Sequence, residues 1–163
     1  MQFSAILTVL VAGAVTAASV IPNGHVHVVD AADYMANGLA NATVVKRNLA
    51  LELTKRTPGN VYFCTDINFA GTCVYITGAF STGCVELGPD LDNLVSAVGP
   101  DEGQVCTLYE NHGCPLSIPI GFSRVTVAFP GVANLGQPFP RDGPSGGPLT
   151  TYNDRVSSYS CRF

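Results

Sequence analysis

Two patterns of apolar and polar positions divide the chain. Ala5 to Val15 is a predominantly apolar run near the amino end. From Asn60 onward the apolar residues come in short β-rich runs: Val61-Tyr62-Phe63-Cys64, Cys73-Val74-Tyr75-Ile76-Thr77, Val105-Cys106-Thr107-Leu108-Tyr109 and Arg124-Val125-Thr126-Val127-Ala128-Phe129. Clusters of Gly, Pro, Asn and Asp separate them. Runs of this length between breakers predict strands and turns, and no 3.6-residue period competes with them. The expectation is an all-β domain, a sandwich or a barrel.

The first apolar run is too short to cross a bilayer and ends in the small residues Thr16, Ala17, Ala18 and Ser19, which predicts a signal peptide over 1–18. No other stretch approaches the ~20 apolar residues of a membrane span. The product is expected to be secreted, extracellular and monomeric, with no membrane association. Residues 19–56 lack cysteine, have helix-tolerant composition and read as a propeptide. The pairs Lys46-Arg47 and Lys55-Arg56 resemble sites cut by secretory processing proteases, and they contain every lysine of the chain. Asn41-Ala42-Thr43 is a glycosylation sequon in the same segment. The working domain is therefore expected at 57–163.

Charge and cysteine use narrow the chemistry of that domain. Four arginines stand against nine acids, net −5, a sign that disfavours nucleic acid and anionic membranes as partners. All six cysteines, Cys64, Cys73, Cys84, Cys106, Cys114 and Cys161, lie there. An even number in a short secreted domain predicts a disulfide framework, and six cysteines allow 15 pairings among which sequence does not choose. There is no Cys-x-x-Cys, and His112 is the domain's one histidine, which removes the usual zinc spacings.

The domain also contains one unit twice. The first begins Phe63-Cys64-Thr65-Asp66-Ile67-Asn68-Phe69-Ala70-Gly71 and reaches Asp92-Asn93-Leu94-Val95-Ser96; the second begins Leu108-Tyr109-Glu110-Asn111-His112-Gly113 and reaches Asn153-Asp154-Arg155-Val156-Ser157-Ser158. Each runs from a strand into a Gly-containing turn and closes on two Asx residues, two spacers and a serine. The second unit is 19 residues longer between turn glycine and closing pair. Pro130 to Thr150, rich in Gly and Pro, is the expected home of the surplus, as an exposed inserted loop.

These motifs resemble the βγ-crystallin family. The opening of the first unit is similar to that family's aromatic-led strand and fold-over turn, with Cys64 where a tyrosine is usual. The two closing motifs are similar to its calcium clamp, Asn/Asp-Asn/Asp-x-x-Ser/Thr-Ser. The resemblance covers about Asn60 to Phe163 and implies a disulfide-stapled two-Greek-key sandwich of about eight strands, like the small cysteine-rich members secreted by fungi. It implies calcium as cofactor, with room for two ions, each between the clamps and held by acidic or amide oxygen from one (Asp92 or Asn93; Asn153 or Asp154) and serine hydroxyl from the other (Ser96 or Ser157). Such hard oxygen ligands suit calcium. Ala97 departs from the pattern where the first clamp would end in a second serine. Asx and Ser also close turns by bonding their own backbone, so both motifs have a purely structural reading as well.

Catalytic options are thin. His112 falls in a turn, bridged cysteines supply no thiolate, and Asp101-Glu102 reads as a solvated turn between the units. No nucleophile elbow, zincin motif or phosphate loop is present. The expectation is a non-enzymatic, calcium-binding fungal effector acting on an extracellular protein or cell-wall target. The alternative is a protease inhibitor or killer-toxin-like protein using loop 130–150, which carries the Arg141-Asp142 charge pair.

Overall fold

A computed structural model of the chain describes residues 25–46, 59–79, 83–117, 123–139 and 149–163. The expected signal peptide, Arg47, Lys55, Arg56 and the Arg141-Asp142 pair lie outside these residues.

Each predicted unit folds as a hairpin followed by a crossing strand and a return. In the first, β3 (Val61–Asp66) and β4 (Ala70–Thr77) pair antiparallel across the turn Ile67–Phe69. Asn68 and Phe69 have φ of 59° and 56°, and Gly71 has φ of 71°. A Cβ on Gly71 would collide with Thr65 Oγ1, whose oxygen accepts from the Thr72 amide at 3.0 Å, so this corner needs glycine twice over. The chain then crosses to the other sheet as β5 (Val85–Glu86) and returns as β6 (Ala97–Pro100) beside β3. The second unit repeats the path. β7 (Val105–Tyr109) pairs with β8 (Arg124–Ala128), Val132 crosses to bridge Val98 of β6, and β9 (Ser158–Arg162) returns beside β7. The second sheet runs β5-β9-β7-β8, so each unit lends its third strand to the other's sheet. This is a pair of Greek keys folded over two layers, with seven strands among the described residues from 59 onward and Val132 in the place of an eighth.

The period-2 pattern of the strands builds the core. Val125 and Val127 of β8 face inward while Thr126 and Ala128 are exposed, and Val61 and Phe63 of β3 are wholly buried. Phe63 meets Tyr159 of the opposite sheet with ring centroids 4.8 Å apart. Leu91, Leu135 and Tyr152 fill the end of the sandwich where the clamps lie.

Residues 25–46, expected as a propeptide of helix-tolerant composition, are built into this core. β1 (His25–Asp30) pairs parallel with β4, and β2 (Thr43–Lys46) pairs antiparallel with β1, giving a first sheet in the order β2-β1-β4-β3-β6. Between them α1 (Ala31–Asn37) is capped by Asp30, whose Oδ1 accepts from the Ala32 amide at 2.9 Å, and it ends at Gly38. Val26, Val29, Ala31 and Tyr34 are buried. Asn41 is exposed in the turn before β2.

Two expectations change. The stretch after Pro130 is not all exposed loop: Val132 bridges β6, Leu135 is fully buried, and Phe139 bridges Thr150 and packs on Tyr152. Gly131 makes the crossing possible, since a Cβ there would collide with the Val98 carbonyl. The 19-residue surplus thus splits, five residues ahead of Val132 and 14 after it. Asp101, expected in a solvated turn, is fully buried, and its Oδ2 accepts from the Tyr75 hydroxyl at 2.6 Å. The cysteines pair as Cys64–Cys73, Cys84–Cys114 and Cys106–Cys161.

Candidate metal centre

The two closing motifs meet at one end of the sandwich through reciprocal backbone bonds. The Asn93 amide donates to Val156 O and the Asp154 amide donates to Val95 O, both at 3.0 Å. The Leu87 amide donates to Ser157 O and the Leu135 amide to Ser96 O, both at 2.9 Å. Ser96 N reaches Cys64 O, and Ser157 N reaches Tyr109 O in the matching place. The motifs are therefore related by a pseudo-twofold axis. Asn93 and Asp154 occupy equivalent positions with φ of 54° and 55°, a left-handed conformation that Asn and Asp tolerate best among residues with a side chain. That conformation alone explains the residue type at the second clamp position.

The side chains break the symmetry. Ser96 Oγ donates to Asp154 Oδ1 at 3.3 Å, which joins a hydroxyl of the first clamp to a carboxylate of the second. Asp154 Oδ2 accepts from Asn153 Nδ2 at 2.6 Å, leaving Asn153 Oδ1 buried without a hydrogen-bond donor. An uncompensated buried oxygen is costly unless something positive reaches it. Among the described residues Ser157 makes no matching bond to Asp92 or Asn93. Asp92 Oδ1 instead accepts from Asn93 Nδ2 at 3.1 Å, and its Oδ2 lies 3.7 Å from His112 Nε2. The backbone bonds thus bring the two clamps together, and the side-chain contact between them runs from Ser96 to Asp154, with Asn153 held against Asp154 from the same clamp. Ser96, Asn153 and Asp154 are the expected ligands that this contact assembles. As a donor set of one carboxylate, one amide oxygen and one hydroxyl, they fit a hard cation that completes its shell with carbonyls and water. No group of three or more His, Cys, Asp and Glu side chains suited to a metal occurs among the described residues.

The surroundings hold groups that sequence reasoning placed differently or missed. His112 is exposed in the second fold-over turn, with Nδ1 2.7 Å from Glu86 Oε2, while the Gly113 amide donates to Glu86 Oε1 at 2.6 Å. Arg155, a spacer in the second clamp, reaches the buried Glu110 at 2.8 Å, and Glu110 also accepts from the Ser123 amide at 2.6 Å. From residues 25–46, Tyr34 sends its hydroxyl to the loop before the first clamp, where it accepts from the Gly88 amide at 3.0 Å. Burial foremost, with the nearby Asp90 and Asp92 adding to it and the Gly88 bond opposing it, pushes the Tyr34 pKa up to about 12. The signal that could have found this segment is the alternation His25-Val26-His27-Val28, a half-buried strand pattern.

No family model and no curated protein matches the chain. Among solved structures it is similar to a βγ-crystallin from Ciona intestinalis, 19% identical over 64% of this chain and 100% of that one, with a TM-score of 0.40. It is likewise similar to the N-terminal domain of protein S, 19% identical over 64% of this chain and 96% of that one, with a TM-score of 0.39. By its own strand order the described chain from residue 59 onward is a two-Greek-key sandwich, with β1 and β2 added at the edge of one sheet.

Proposed function

We propose that this is a secreted, non-enzymatic protein whose sandwich is locked by calcium between the two clamps. The observation that carries the reading is the meeting of Ser96 Oγ and Asp154 Oδ1 from opposite clamps, beside the buried acceptor Asn153 Oδ1. Asp154, Ser96 and Asn153 would hold the ion, and calcium would supply a positive charge linking two repeats already joined by backbone bonds. With one carboxylate at the site, affinity is modest. Three disulfides support an oxidising, extracellular setting. The bonds of His112 to Glu86 and of Asp101 to Tyr75 give both groups structural partners, which supports a non-catalytic role.

The test is thermal unfolding of the full chain in millimolar calcium and in chelator. At about 10 to 100 times Kd, binding adds about 1.4–2.7 kcal/mol, a rise in Tm on the order of 5 °C. Asp154→Ala should abolish the rise, whereas Asp92→Ala should leave most of it. An unchanged Tm in the unmodified chain would rule the reading out.

A further inference from the structure

We propose that residues 25–46 are a permanent, non-covalently held part of the folded protein, so that a cut at Lys55-Arg56 leaves a two-chain molecule and does not release a propeptide. The surface involved is the outer edge of β4 together with the slot over the core beside it, and its partner is the chain's own strand–helix–strand segment.

Several independent contacts define that surface. β1 pairs with β4 in parallel register over five positions, Val26–Asp30 against Cys73–Thr77, and the Thr77 hydroxyl adds a bond to Val29 O at 3.3 Å. Val29, Ala31 and Tyr34 belong to the main core cluster, alongside Val74, Ile76, Leu87 and Leu91. Tyr34 is 1% exposed, and its hydroxyl accepts the Gly88 amide of the loop beyond β4. At Gly38 a Cβ would stand 3.1 Å from Asp90 Oδ2, so the helix end lies close against that same loop. Departure of the segment would open a row of unpaired N–H and C=O groups along β4 and uncover apolar core. A removable propeptide has no need to complete the core of the domain it leaves. The attachment is non-covalent because the segment has no cysteine and all six cysteines are paired among themselves. The inference does not depend on calcium.

The experiment digests the folded full chain with a Lys-Arg-specific processing protease until denaturing electrophoresis shows complete scission before the domain, then separates the products by native size exclusion with mass spectrometry. The expected result is co-elution of the fragment containing residues 25–46 with the cysteine-containing domain, and separation only in denaturant. Recovery of that fragment in the small-peptide fraction overturns the proposal. Tyr34→Ala in the same assay should raise the released share at least tenfold, and retention equal to the unmodified chain would likewise count against it. Should that variant not fold, Tyr34→Phe keeps the ring: the fragment should stay bound while the Gly88 amide exchanges hydrogen about tenfold faster, and unchanged exchange would contradict the assigned contact.

Discussion

Tyr34 shows how one side chain records a contact that its neighbours in sequence do not announce. Its phenol keeps its proton to about pH 12 in the folded state, against about 10 in the unfolded chain. Between those values the unfolded state binds fewer protons, so the contribution is whole below pH 10 and is lost as pH rises through 10 towards 12. Burial pushes Tyr159 the same way. Urea midpoints measured from pH 9 to 11.5 should therefore fall, and Tyr34→Phe should flatten part of the fall; a profile identical to that of the unmodified chain would contradict the role given to the hydroxyl. The clamp residues were legible in sequence because their spacing is local and occurs twice. Tyr34 and Asp101 were not, since the partner of each lies far along the chain: Gly88 is 54 residues from Tyr34, and Tyr75 is 26 from Asp101. A carboxylate next to Glu102 and Gly103 has the look of a solvated turn until the strand that covers it is known.

The two hairpins solve one problem with different chemistry. In the second unit Ser158, fully buried, donates to Asn111 O at 2.6 Å and accepts from the Cys114 amide at 3.1 Å, which fastens the fold-over turn to β9. The equivalent residue of the first unit is Ala97, opposite Cys64 in register, and there the Cys64–Cys73 bridge spans the hairpin instead. The first turn, without a serine, is thus fastened by its bridge, whereas the second carries both Ser158 and the Cys84–Cys114 bridge. Ser158→Ala should destabilise the protein by about 1–3 kcal/mol, because two backbone groups lose a buried partner. Ala97→Ser should bring no comparable gain, as its turn is already held. Equilibrium urea unfolding with an unchanged m value measures both, and a neutral Ser158→Ala would refute the assignment. At this scale β3, β4, β7 and β8 were readable from β-rich runs between breakers, whereas β5 and β6 carried no such run. The crossing at Val132 was hidden by Gly131 and the Pro-rich stretch after it, because glycine there marks close approach to β6 and not the absence of a strand.

For the molecule as a whole, the duplication was visible in sequence and its consequence was not. Two copies of a motif imply two similar units, but the exchange of third strands between sheets and the addition of β1 and β2 depend on pairings between distant segments. The cysteine pairing likewise became determinate only once Cys64 faced Cys73 and Cys106 faced Cys161 across neighbouring strands. With the pairing known, the three bridges can be ranked. They close loops of 9, 30 and 55 residues. In the chain-entropy account, a bridge acts by restricting the unfolded chain, with contributions of about 2.5, 3.5 and 4 kcal/mol for loops of these lengths. Replacing both cysteines of a pair by alanine should then lower stability most for Cys106–Cys161, less for Cys84–Cys114 and least for Cys64–Cys73. All three variants should be compared by denaturant midpoint with the remaining bridges confirmed by mass. The competing expectation is that local fastening matters more than loop length, since Cys64–Cys73 secures a turn that has no serine. Loss of that pair would then cost as much as loss of Cys106–Cys161. The order of the two midpoints decides between restriction of the unfolded chain and support of the folded turn as the main work of the disulfides.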